Sequence, residues 1–253
     1  MMSANFPWDA GVPGGKAALW RIGQAGHVIH SGGCTVIIDP YLSDRCGTNN
    51  PLFSRIIPVP VDPAAVKADV FMVTHDHADH LDPETVGAYR YKEVTTFVAP
   101  RRAAKKLKAL GIPAGNVRVV DQGDTLELPG LTIKGVFALP TDPGVLDTTG
   151  YLLTFENGRS VYHTSDTAYC DLLLKACPRA EVLLPCINGK YGNLNVAQAV
   201  ELTKAVNPKT VIPNHYDVMA LNSENPESFR YFLGAAGAAA DCVILDVMEP
   251  FIW

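Results

Sequence analysis

The sequence predicts an α/β fold of the α+β type, in which two strand-rich halves pack as a sandwich. Two stretches, 17–38 and 117–162, alternate short apolar runs with glycine turns, as antiparallel meanders do. Each stretch is followed by strand–helix units, which suits a pseudo-symmetric arrangement of layers. No linker divides the 253 residues, so one domain spanning 1–253 with an ample core is expected.

The elements follow in order. Residues 17–22 and 27–30 read as strands joined by the tight turn Gly23-Gln24-Ala25-Gly26, and Gly32-Gly33 leads into a third strand at 34–38. His27 and His30 lie on this meander and are read as strand residues. Asp39-Pro40 ends it. The segment 41–60 is irregular and long for a loop inside a compact domain, which places it at a pocket mouth. A helical turn at 63–67 precedes the apolar strand 70–73. A helix at 83–91 has Asp82 as N-cap and Pro83 in its first position. A strand at 95–98 and a helix at 101–110 come next, the helix ended by Gly111. Its basic cluster, Arg101, Arg102, Lys105, Lys106 and Lys108, reads as a solvated face rather than a phosphate site. Strands at 117–120, 125–128 and 131–138 begin the second sheet, and Asn157-Gly158 turns strand 149–156 into strand 160–162. The rest comprises a helix at 169–177, a strand at 181–185, an amphipathic helix at 196–206, a strand at 210–212, a helix at 226–236 and a strand at 242–247. Residues 1–15, polar and rich in Pro and Gly, read as an N-terminal arm.

Composition excludes several classes of function. A net charge of −5 and a pI near 5.8 leave no basic footprint, so no nucleic-acid partner is expected. No apolar run approaches the ~18 residues of a membrane span, and the first fifteen residues lack the apolar core of a signal peptide. The six cysteines form no CxxC pair and a chain this long needs no staples, which fits reduced thiols. A cytoplasmic protein acting on a small molecule, without a membrane partner, is the expectation; whether it forms a homo-oligomer is left open.

The chemistry concentrates in Thr74-His75-Asp76-His77-Ala78-Asp79-His80, directly after an apolar strand. If the strand's two-residue period continues, His75 and His77 point the same way and Asp76 points elsewhere. Asp79 and His80 can serve a second ion only if the loop turns towards a helix, and Asp82-Pro83-Glu84 supplies that turn. Two ions roughly 3.5 to 4 Å apart would clamp a hydroxide between them. His215, after the strand at 210–212, falls at the same sheet edge and completes a second set with Asp79 and His80. Asp166 follows another strand, where by itself it reads as a cap of the next helix. The loop 186–193, held open by glycines, offers Asn188, Lys190, Tyr191 and Asn193 to a substrate.

HxHxDH after an apolar strand resembles the signature of the metallo-β-lactamase superfamily, an αββα four-layer sandwich of metallohydrolases. Residues 23–40, His163-Thr164-Ser165-Asp166, Val211-Ile212-Pro213-Asn214-His215 and Pro250-Phe251-Ile252-Trp253 are similar to its L-ascorbate-6-phosphate lactonase branch. The resemblance implies that Asp166 bridges both ions and that Asp39 lies beneath the metal loop and accepts an imidazole N–H; His163, separated from Asp166 by strand alternation and the turn, is read as supporting the site without ligating. It also implies opening of a sugar-acid phosphate lactone.

The chain departs from the family at two points. Many members carry a metal-binding His where this chain has Leu139-Pro140-Thr141-Asp142-Pro143-Gly144. Asp142 is therefore a candidate ligand of the first ion, with a plain turn residue as the alternative and Asp147 as the next candidate. A carboxylate there would shift preference from Zn²⁺ towards Mn²⁺ or Fe²⁺. In the branch, an Arg is expected to hold the phosphate near 186–193; here stands Lys190, a less directional clamp. The expected activity is thus metal-dependent hydrolysis of a lactone or ester with two divalent ions, Asp79, Asp142 or a metal water returning the proton to the leaving oxygen. The alternatives are a phosphodiesterase on a small nucleotide or lipid headgroup, and a non-catalytic metal sensor.

Overall fold

Alternation along the strands decides the layers. The computed structural model describes Trp8 and residues 11–253; the other residues of the expected arm lie outside the described ones. The first sheet contains β1 (Ala17–Gly23), β2 (Gly26–Ser31), β3 (Cys34–Ile38), β4 (Val70–Met72), β5 (Thr96–Ala99) and β6 (Val117–Val119). The second contains β7 (Thr125–Leu128), β8 (Leu131–Val136), β9 (Gly150–Phe155), β10 (Ser160–His163), β11 (Val182–Leu184), β12 (Thr210–Val211) and β13 (Asp241–Cys242). The last strand, β14 (Pro250–Ile252), returns to the first sheet beside β1.

The two sheets repeat one pairing pattern. From β14 through β1, β2 and β3 the pairs are antiparallel, and from β3 to β6 they are parallel. From β7 to β10 the pairs are antiparallel, and from β10 to β13 parallel. The edge that β7 occupies in the second sheet is filled in the first by β14, from the opposite end of the sequence.

Leu19, Ile29, Val70 and Met72 of one sheet meet Leu153, Val161, Val182 and Leu184 of the other between the layers. The alternate residues turn outward. Short α1 (Arg45–Asn49) lies in the long loop after β3, while α2 (Pro83–Ala88) and α3 (Arg101–Ala109) cover Trp20, Phe71 and Phe97. Helices α4 (Asp171–Ala176), α5 (Val196–Val206) and α6 (Pro226–Ala235) cover Tyr162, Leu183 and Val211. Each fully buried Leu, Val or Phe contributes roughly 1.5–3 kcal/mol over exposure, so the αββα order follows from the strand pattern. Among the described residues no helix is long and apolar enough to cross a membrane.

Several expected boundaries move for physical reasons. The helix expected at 83–91 stops at Ala88, because Tyr89 turns to pack its ring on Phe71 and Phe97. The segment 41–60 is not wholly irregular: α1 and a single 3₁₀ turn, Pro51–Phe53, lie within it. The helical turn expected at 63–67 is confined to 63–65, closed by Ala65 N–H on Asp62 O. The helix expected at 169–177 begins only at Asp171. The strand expected at 242–247 shrinks to β13, since the chain must leave the second sheet and reach β1; Met248 takes φ 68° and donates its N–H to Arg21 O on the way.

Parallel strands of both sheets end at one edge. There the sheets are stitched by backbone bonds, Thr149 N–H to Thr74 O at 3.0 Å and His215 N–H to Gln24 O at 3.0 Å.

Candidate metal centre

The loop after β4 is anchored before it turns. Thr74 donates its N–H to Asp39 Oδ1 at 2.8 Å and its hydroxyl to Asp39 Oδ2 at 2.6 Å. The N–H groups of His80 and Leu81 then bond back to His77 O. His75 and His77 therefore stay on the extended part, while Asp79 and His80 swing round on the turn that Asp82 hands to α2. His75 Nε2 and His77 Nδ1 stand 3.0 Å apart. Two nitrogens each about 2.1 Å from one ion and at a right angle to it are separated by about 3.0 Å.

Two groups of potential ligands result. His75, His77 and Asp166 offer one atom each within 4.8 Å of one another, and so do Asp79, His80 and His215. Asp166 touches both groups: its Oδ1 lies 3.4 Å from His80 Nε2 and 3.3 Å from His215 Nε2. Asp79 Oδ2 is 3.9 Å from His80 Nε2 and 3.6 Å from His215 Nε2. Asp166 Oδ1 and the Nε2 atoms of His80 and His215 are buried without a hydrogen-bond partner. Buried polar atoms left so are costly, and three of them converging on one space fit a cation. The donors are imidazole nitrogens and carboxylate oxygens, a set for Zn²⁺, Mn²⁺ or Fe²⁺ rather than a soft ion. Cys46, on the cavity wall, adds no thiolate, because burial and then Asp79 push its thiol up to about 11.

The electrostatics point the same way. Burial opposes charge on His80, but Asp166, Asp79 and Asp39 outweigh it and raise this imidazole well above its usual range. His215 is also raised against its burial, by Asp166 and then Asp79. Burial would raise Asp166, yet His215 and His80 hold it well below the usual carboxylate range. The cavity floor thus demands positive charge, which protons supply and a metal ion can replace. Burial and then His80 push His75 far down, leaving it neutral with a lone pair to give.

A further ring of contacts fixes these side chains. Asp39, fully buried at φ 45°, takes His80 Nδ1 at 2.7 Å, so His80 presents Nε2 to the site. Asn193 Nδ2 donates to Asp166 Oδ2 at 2.7 Å, leaving Oδ1 for the histidines. His163 touches no ligand side chain: its Nδ1 accepts from Ser165 N–H at 3.1 Å and its Nε2 faces Ala25 O at 3.0 Å, which holds the turn into Asp166. Asp39, Ser165 and His215 all have positive φ, a strained state that tends to gather at functional sites.

Gln24 was read only as a turn residue. It is fully buried, its Nε2 lies 3.1 Å from Asp79 Oδ2 and 3.3 Å from His215 Nδ1, and no composition or spacing signal marked it. Gln24→Leu is expected to weaken metal retention about 10- to 100-fold, because partners of ligands orient them; competition with a chelator measures it, and an unchanged affinity would make Gln24 a bystander.

Some candidates are not brought in. Asp142 lies outside both groups; it is about half exposed, its Oδ1 closes a turn by accepting Gly144 N–H at 2.6 Å, and its Oδ2 stands 3.6 Å from His77 Nε2 at the rim. Asp147 is occupied by the N–H of Arg102 at 2.5 Å. Asn188 is buried away from the cavity and bonds Asn222 at 2.7 Å, and Lys190 is exposed without lining the cavity. Tyr191 and Asn193 do line it.

The basic face of α3 is not simply solvated. Arg102 bonds Asp76 Oδ2 at 3.1 Å and Gly144 O, and Lys106 Nζ bonds Asp76 O at 2.7 Å. Arg101 pairs with Asp121 at 2.9 Å. Asp76, pointing away from the ligands, is the handle by which α3 grips the metal loop. Arg102→Ala should loosen that grip and reduce metal affinity roughly tenfold, a modest loss for a half-exposed pair; equal affinity in both proteins would show the grip idle.

Above the ligands opens a cavity of about 670 Å³, lined among others by His77, Asp79, Asp166, Phe53, Tyr191 and Met219.

An αββα sandwich with histidine and aspartate groups at its strand ends defines a metallohydrolase of the β-lactamase type. The beta-lactamase superfamily domain matches residues 19–215 of the chain. A UPF0173 metal-dependent hydrolase of Methanopyrus kandleri is 31% identical over 242 residues, covering 91% of this chain and 97% of that protein. The chain therefore belongs to the metallo-β-lactamase superfamily, and within it to the UPF0173 metal-dependent hydrolases. A probable L-ascorbate-6-phosphate lactonase of Escherichia coli is 25% identical, covering 85% of this chain and 74% of that protein. At that distance the lactonase branch read from residues 23–40 and 163–166 is not carried. In fold, a metallo-hydrolase from Ignicoccus hospitalis superposes with a TM-score of 0.72 at 23% identity, over 94% of this chain and 98% of that one.

Proposed function

We propose that this metal-dependent hydrolase cleaves an ester or opens a lactone of a small molecule in the cytoplasm, holding two divalent ions, one at His75, His77 and Asp166 and one at Asp79, His80 and His215. The observation behind this reading is the place of Asp166, with one oxygen fixed by Asn193 and the other facing the histidines of the second group. Divalent ions bound there supply Lewis acidity and lower the pKa of a water from about 15.7 to about 7.

The chain's own residues supply the rest. His75 and His77 hold their ring nitrogens towards one point, and Asp39 and Gln24 fix the second group from behind. Asp79 lines the cavity and is the carboxylate placed to carry a proton to the leaving oxygen. Asp142, out at the rim, is the weaker candidate for that step. A sugar-acid phosphate finds little support, since Lys190 stands off the cavity wall.

The test is metal content together with turnover of a lactone, ester and phosphodiester panel after reconstitution with Mn²⁺ or Zn²⁺. Two bound ions and hydrolysis of lactones or esters are expected. Cleavage of bis-(p-nitrophenyl) phosphate in preference to every carboxylic substrate would replace this reading with a phosphodiesterase, and ion binding with no turnover of any substrate would replace it with a sensor.

A further inference from the structure

The wall of the cavity divides sharply by charge. All the acidic side chains that line it, Asp79, Asp142 and Asp166, come from the metal loop, the turn after β10 and the rim beside them. The part built by α1, the 3₁₀ turn 51–53, Tyr191 and the segment 219–222 contributes a thiol, carboxamides, Met219 and two aromatic rings, and no charged group. The nearest arginines in sequence are committed elsewhere. Arg45 pairs with Glu84 at 3.7 Å, and the guanidinium of Arg55 donates to the carbonyl oxygens of Tyr41, Ile57 and Pro58.

Two distant loops meet on that uncharged wall. Phe53 and Tyr191 place their ring centroids 5.9 Å apart at an interplanar angle of 49°. Phe53 is seated on Tyr41, Val218 and Met219, so its side of the wall is firm. Tyr191 is held at φ 51° between Gly189 at φ 60° and Gly192 at φ 88°, and the residue is 59% exposed. A left-handed conformation costs a non-glycine residue roughly 1–2 kcal/mol. Beyond its ring contact with Phe53, this exposed side chain gains little in the free protein that would offset that cost, and such strain tends to gather at functional surfaces.

We propose that the substrate is uncharged away from its scissile bond and lays a flat apolar group, aromatic or of similar shape, against Phe53 and Tyr191. The proposal rests on the ester or lactone reading above and specifies its substrate class. Positive charge supplied by bound ions is confined to the reacting end. A phosphate or carboxylate carried at the other end would lose water beside rings and carboxamides with no Lys or Arg among the lining residues to pair it.

The test compares three lactones with the metal-loaded protein: neutral aryl-fused dihydrocoumarin, small neutral γ-butyrolactone, and anionic phosphogluconolactone. Dihydrocoumarin should exceed phosphogluconolactone by at least about 100-fold in kcat/KM, the scale on which an unpaired charge is rejected. Phe53→Ala and Tyr191→Ala should each raise KM for dihydrocoumarin by about tenfold, with kcat little changed and a several-fold smaller rise for γ-butyrolactone. Calorimetry with the lactam analogue of dihydrocoumarin gives a readout without turnover, and its binding should weaken about fivefold in Tyr191→Ala. Equal processing of the phosphorylated lactone, or wall variants that change neither KM nor lactam binding, would overturn the proposal. If no lactone or ester is turned over while lactam binding still depends on Tyr191, the ester or lactone reading fails and the aromatic subsite stands.

Discussion

Asp166→Ala is expected to reduce hydrolysis by at least about 1,000-fold, and to lower metal content, because Asp166 belongs to one ligand group and its Oδ1 lies within 3.4 Å of the histidine nitrogens of the other. The same substitution should be visible in the metal-free protein. There Asp166 is held low by His215 and His80, and His80 is held high, against its burial, by Asp166, Asp79 and Asp39. The signs follow from linkage. His80, raised above its unfolded value near about 6.5, stabilises fully below that pH and less as pH rises through its folded value. Asp166, depressed below about 3.9, stabilises fully above that pH and less as pH falls through its folded value. Metal-free wild type therefore gains from this pair across the interval between, and the variant loses the gain. Removing one partner of a buried ion pair costs roughly 3–5 kcal/mol. Thermal unfolding from pH 4 to 8, with chelator, measures it; a variant with wild-type turnover and an unchanged stability profile would remove Asp166 from the centre.

Asp39→Ala should be nearly as damaging, although Asp39 touches no proposed ion. Its carboxylate accepts from the Thr74 backbone and hydroxyl and meets His80 Nδ1, all fully buried. Alanine leaves the Thr74 N–H and His80 Nδ1–H without an acceptor, each at about 1–3 kcal/mol, and frees the His80 ring to rotate. A stability loss of roughly 3 kcal/mol and a 10- to 100-fold fall in metal affinity are expected. Asp39→Asn, with its oxygen in the place of Oδ2, keeps an acceptor for the Thr74 hydroxyl and His80 Nδ1 but turns an NH₂ towards the Thr74 N–H and removes the negative charge, so an intermediate loss is predicted. If Asp39→Asn were as stable and as metal-avid as wild type, the anionic acceptor beneath His80 would have no role.

What the sequence disclosed depended on how local the cause was. The HxHxDH loop was legible because strand period, turn and N-cap all lie within ten residues, and the chain folds His75, His77, Asp79 and His80 as those local rules require. Helix α5 begins where its capping box, Asn195 with Gln198, begins it. The layer order was legible from alternation, since Phe71 and Met72 face opposite layers. What escaped was set by groups far apart in sequence. Gln24 matters because a turn in the first sheet lies against His215 of the second, which no local pattern encodes. Arg102 and Lys106 looked like solvated charges until a loop twenty-six and more residues upstream closed on them. Asp142 carries the right chemistry at a plausible place, but Pro143-Gly144 draws one of its oxygens into a turn, which leaves the other 3.6 Å from His77 Nε2 at the rim.

The return of β14 to the side of β1 has a consequence for the order of assembly. While the polypeptide is being made, β1 to β6 leave the ribosome well before Pro250–Ile252, and until those residues arrive the outer margin of β1 shows open amides and carbonyls. Such a margin invites pairing with another nascent chain. Closure by β14, which is made after the other strands of both sheets, therefore acts as a latch on the margin of β1.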